Sequence, residues 1–297
     1  MHRMTKSRIH IMLLVVAVFV GIAVFLYETD IQPPPMQSIL NSDMREQAAH
    51  NANEKFVAHK ALYDIKLAST HSGSQVVNIA GQMYYEWRPT CDAWLTDHRF
   101  NMLYEYTDAP PMHLSSNFST YESFDGKVFN FSSQRKSNGE VFEEIRGSIQ
   151  DGVAKFRLPE VKDIELPEGT LFPVAHTIEV ARQILSGKRF FNAVIFDGSD
   201  MEGAVQVNSF IGDSVDPTLL FKKRDGLDIS LLESPAKKVR LAFFPLNSDQ
   251  ITADYEMDLI FHENGVISDM SVEYDDFSVT QKLVALEKIP SQCEMSP

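Results

Sequence analysis

Cysteine is nearly absent: the 297 residues contain two, Cys91 and Cys293. That count excludes a disulfide-dense scaffold, a four-cysteine zinc site and a cysteine-ligated iron–sulfur cluster. Basic residues are also few, 27 Lys plus Arg against 41 Asp plus Glu, for a formal net charge of -14. With no basic block, nucleic acid and anionic surfaces are disfavoured as partners. There is no internal repeat and no low-complexity tract. The nine histidines, His59, His71, His98, His113, His176 and His262 among them, are scattered without zinc-type spacing, so neither a metal site nor a cofactor is expected.

Only one long hydrophobic run exists, Ile9 to Tyr27, preceded by Arg3, Lys6 and Arg8 and followed by Glu28 and Asp30. It approaches the roughly 20 residues that cross a bilayer and exceeds the usual cleaved signal core. Residues 1–30 are therefore expected to anchor the chain in the inner membrane, a cleavable signal being the alternative. The charge asymmetry exports the body in either case. Residues 31–58, with Pro33, Pro34 and Pro35, have the composition of a tether. In an oxidising compartment Cys91 and Cys293 are expected to form a disulfide, since a redox-active pair would usually show a local Cys-x-x-Cys motif.

Residues 59–297 read as one mainly β domain. In HKALYDIKLA, Ala61, Tyr63, Ile65 and Leu67 alternate and fall on one strand face. Twelve further strands follow, from Val76 to Leu286, punctuated by Asp125-Gly126, Asn138-Gly139, Asp151-Gly152, Asp197-Gly198 and Asn264-Gly265, dipeptides suited to tight antiparallel turns. One helix is predicted over Pro173–Ser186, where Ile178, Ala181, Ile184 and Leu185 take helical spacing before Gly187. So many strands with one helix predict a long curved antiparallel sheet, a half-open barrel whose concave side the helix plugs or covers. Residues 212–238 are read as a long loop or insertion.

HKALYDIKL, GQMYYEW, the following Cys91, ELPEGTLFPVAH, VIFDGSD, FHENGVISDMSVEYDDF and Cys293 occur in an order that resembles the EipB-like family of cell-envelope integrity proteins. The resemblance spans His59 to Cys293. It implies a periplasmic β-spiral, a sheet that coils without closing as a simple barrel, with a family-type disulfide matching Cys91 and Cys293. The implied role is envelope maintenance under stress, without an established catalytic residue to transfer.

The residues themselves carry little chemistry. Asp197, Ser199, Asp200 and Glu202 lack EF-hand spacing and are read as turn formers, and Ser199 is not in a nucleophile elbow. Glu143 and Glu144, like Asp275 and Asp276, are adjacent and so point to opposite strand faces. The chain is therefore not expected to be an enzyme. Trp94, Phe100, Tyr104 and Tyr106 share one strand face and, with Ile178 and Leu185 of the helix, are the candidate lining of an apolar cavity. The expected function is envelope integrity through protein or ligand binding. The alternative is a lipid or lipoprotein carrier, its cavity under the helix, so the expected partner is an envelope protein or a lipid.

Overall fold

The computed structural model describes residues 56–216, 226–246 and 250–290. The expected anchor and Cys293 lie outside the described residues. Within them, alternating side chains build fourteen strands: β1 (His59–Thr70), β2 (Val76–Pro89), β3 (Ala93–Tyr106), β4 (Met112–Ser123), β5 (Phe129–Ser137), β6 (Glu140–Gln150), β7 (Val153–Leu158) and β8 (Lys162–Glu165) precede α1 (Pro173–Leu185). After it come β9 (Phe190–Ile195), β10 (Val205–Val215), β11 (Ala236–Pro245), β12 (Tyr255–His262), β13 (Ile267–Glu273) and β14 (Phe277–Lys288). All belong to one antiparallel sheet ordered 8-7-6-5-4-3-2-1-14-13-12-11-10-9. The first and last strands thus pair at its centre, with His59 opposite Lys288, while α1 connects its two edges.

Sequence patterning explains most of this. His59, Ala61, Tyr63 and Ile65 are buried in alternation, and Asn138-Gly139 and Asp151-Gly152 take positive φ at both residues, as type I′ turns require. The helix ends one residue before its predicted limit. Strand β8 escapes the sequence reading because KDIE lacks a hydrophobic alternation. Phe56 and Val57 correct the expected tether boundary: Phe56 is buried in the core and the Val57 amide donates to the Asn264 carbonyl at 3.1 Å. In the region read as an insertion, β10 extends to Val215 and β11 starts at Ala236. Between them Gly226 and Asp228 return to Leu286 of β14, whose amide donates to Gly226 and whose carbonyl accepts from Asp228.

Asp197-Gly198 does not make the tight hairpin that the dipeptide predicts. It lies in a loop of residues 196–204 that packs against β5–β7, placing Phe196 among Phe129, Phe131, Phe156 and Phe172. Gly198 is required there: at φ 72°, a Cβ would sit 2.4 Å from the Phe131 ring. Arg135 donates to the Ser199 carbonyl at 3.0 Å and Lys162 to the Met201 carbonyl at 2.7 Å. These contacts curl one wing of the sheet over the other. The exposed side of β9 is covered by Leu171, which accepts from Phe196 and donates to Val194, so this sheet edge is not left open for pairing.

Candidate functional site

The curled sheet has an inner face, and β3 supplies much of its wall. Trp94, Thr96, His98, Phe100, Met102, Tyr104 and Tyr106 alternate onto it. Opposite them in register stand Glu122, Thr120, Phe118, Ser116, Leu114 and Met112 of β4 for the first six. Trp94 is buried, whereas Phe100, Tyr104 and Tyr106 are half-buried against the main core, as is Ile178 from α1. Leu185 corrects the predicted lining. It is 42% exposed, because α1 turns Val180, Ala181 and Ile184 inward and the chain leaves at the next turn.

Distant strands complete what β3 begins. Phe243 of β11 stacks on Tyr255 of β12 at 4.3 Å between ring centroids, Tyr255 lies 6.1 Å from Tyr274, and Tyr274 lies 5.0 Å from Phe277 of β14. Phe277 meets Tyr104 at 6.4 Å, and Tyr104 stacks with Tyr106 at 6.4 Å. The result is a continuous aromatic belt. Sequence periodicity finds only its Tyr104–Tyr106 end, since the other members join through sheet curvature.

Two properties of these phenols define the space they face. Tyr104, Tyr255 and Tyr274 retain accessible surface. Yet burial raises the Tyr274 hydroxyl to about 12 and raises Tyr104 and Tyr255 further. Burial therefore keeps these phenols neutral while part of each ring stays accessible. Tyr85 of β2 and His98 follow the same pattern: both are half-buried, burial raises the phenol, and it lowers the imidazole to about 4. Two recesses on the opposite face are of another kind. Their charges, Arg88 with Glu86 and Arg99 with Asp97, pair among themselves.

The helix is fixed to this wall by a carboxylate from another element. Phe172 at the N-cap offers no side-chain acceptor. Instead Glu122 of β4, 2% exposed, accepts from the Val174 amide at 2.9 Å and the Ala175 amide at 2.7 Å. A negative group is favoured at a helix N-terminus. Burial nevertheless dominates and raises the Glu122 carboxyl to about 7.

His176, one turn into α1, is buried with Nε2 3.5 Å from Ser209 Oγ, and burial lowers it to about 4. His59 is buried too, its Nδ1 2.7 Å from the Val57 carbonyl. Both are therefore held inside the fold by structural hydrogen bonds. Asp197 and Asp200 accept from the amides of Ser199 and Glu202, as turn formers do. Burial raises Asp200 to about 7, with the Asp197 charge adding to the shift.

Three comparisons agree with this architecture. A family model described as EipB-like matches residues 50–290. The cell envelope integrity protein EipB of Brucella abortus (strain 2308) is 27% identical over 244 residues, covering 78% of this chain and 84% of that protein. The crystal structure of a beta-barrel-like protein of domain of unknown function DUF1849 from Brucella abortus superposes with a TM-score of 0.72 at 27% identity. That match covers 79% of this chain and 99% of the other.

Proposed function

The chain belongs to the EipB-like family, and we propose that it maintains the cell envelope by holding an apolar ligand, a lipid or the acyl part of a lipoprotein, inside the curled sheet. The observation that carries this reading is the continuous aromatic belt, gathered from β3, β11, β12 and β14 and still partly accessible, a surface suited to an apolar guest. It favours a lipid carrier over a protein that only docks partners on its outside. The reading gives the site a binding role and no catalytic one. The location proposed is the periplasm, with residues 9–27 holding the chain at the inner membrane, or a soluble form released by cleavage.

The Cys91–Cys293 disulfide belongs to the same reading. Both β2 and β14 pair with β1, and Trp87 and Lys288 stand on either side of His59. The chain therefore leaves β2 and β14 at the same end of the sheet, with β1 between them and about 10 Å, two strand spacings, from one to the other. No free cysteine occurs among the described residues.

Deletion of the gene should sensitise cells to detergents and cell-wall antibiotics. Wild-type protein should restore resistance, and a Tyr104→Asp, Tyr255→Asp variant, which puts carboxylates on the belt, should not. Deletion cells as resistant as their parent would refute the envelope role; full rescue by the variant would refute the belt's part in it.

A further inference from the structure

On the inner face of β1–β3, four polar rings meet. Tyr85 stands across from His98 with centroids 4.6 Å apart, and His59 across from Trp87 at 6.0 Å; Tyr85 and His59 are 5.7 Å apart. Their hydrogen-bonding capacity is largely unused. The Trp87 indole N–H and His59 Nε2 are buried without a partner. Neither the Tyr85 hydroxyl nor the His98 imidazole has a hydrogen-bond partner among the described residues. Two buried atoms left unmet are costly, whereas the Tyr85 hydroxyl and the His98 ring nitrogens are not among the buried unpartnered atoms and stay open to a hydrogen-bonding guest. Tyr85 and His98 retain accessible surface, so they are the two that a guest can reach.

The charge of that guest follows from the neighbours. Burial keeps both imidazoles and the phenol uncharged at neutral pH. Among the charged groups acting on Tyr85 is the Glu122 carboxyl. The guanidinium on this wall, Arg135, is already held by Glu143 and the Ser199 carbonyl, and Arg182 of the helix by Glu179. A carboxylate or phosphate brought here would lose its water and find dipoles and another acid, with neither guanidinium of this wall and helix free to offset the cost. An ester, amide or hydroxyl would find donors and acceptors of matching strength.

Resting on the lipid-binding reading above, we propose that Tyr85 and His98 hold the uncharged polar group of a neutral lipid whose hydrocarbon lies along the aromatic belt. The site selects such lipids over free fatty acids and anionic phospholipids.

The test compares 1-oleoylglycerol with oleate, which share one chain and differ in charge, by displacement of a fluorescent apolar probe from the delipidated full chain held in amphipol at pH 7.5. Oleoylglycerol should bind at least about tenfold more tightly than oleate. Tyr85→Phe with His98→Phe should cut oleoylglycerol affinity by about 5–30-fold, the loss of one or two neutral hydrogen bonds, while leaving oleate unchanged. Oleate binding as well as oleoylglycerol to the wild type overturns the proposal while leaving the lipid-binding reading intact. So does a preference that survives in the folded double variant. Failure of both lipids to displace the probe overturns the two together.

Discussion

Replacing Cys91 with serine is expected to lower the free energy of unfolding by as much as about 5 kcal/mol, the chain-entropy value for a closed loop of about 200 residues. The expected loss is large because of where the bridge falls. β1 and β14 pair at the middle of the sheet, so a link between the end of β2 and the end of β14 clamps the seam where the two halves of the chain meet. Thermal melts of wild-type and Cys91→Ser protein, with thiol titration of the unreduced wild type, check this. Two titratable thiols, or coincident melts, would contradict the pairing.

The second large effect is expected at Glu122. Its folded carboxyl holds a proton up to about pH 7, while the ordinary value of 4.5 applies once the chain unfolds. Between those values the folded state binds more protons, so stability falls as pH rises. The contribution is complete below about pH 4.5 and lost as pH rises through 7, a change of about 3–3.5 kcal/mol for a shift of this size. His98 and His176 act in the opposite sense. Burial lowers both to about 4, so their contribution is present above about 6.5 and lost as pH falls through 4. A Glu122→Gln variant isolates the carboxyl. In urea unfolding, the stability advantage of wild type over Glu122→Gln should shrink by about 2–3 kcal/mol between pH 5 and pH 8. A constant difference across that range would show that the helix N-terminus, and not desolvation, governs this group.

Much of the fold is legible in the chain because strands and turns are local. Alternation in HKALYDIKLA, the Asn138-Gly139 and Asp151-Gly152 turns and the helical spacing after Pro173 each predict an element that forms. What the chain hides depends on curvature. Glu122 and Val174 are 52 residues apart and meet only because one sheet edge curls toward the other. Likewise Tyr104 reaches Phe277 across intervening strands, so parity identifies one end of the belt and not its completion. Leu185 misleads for a different reason: helical spacing describes a stripe, and the last residue of a helix can fall off its edge. Asp197-Gly198 carries turn chemistry, but Phe196 and Gly198 are drawn to the phenylalanine cluster instead. Strand β8 pairs through its backbone with few apolar side chains to announce it.

The central claim is that the belt encloses a guest. Native mass spectrometry of the full chain, extracted from its own membranes without added lipid, tests it most directly. The account predicts a protein mass increased by one uncharged, acyl-bearing molecule, an increase lost in the Tyr104→Asp, Tyr255→Asp variant. A uniform empty mass that added lipid does not shift would contradict it.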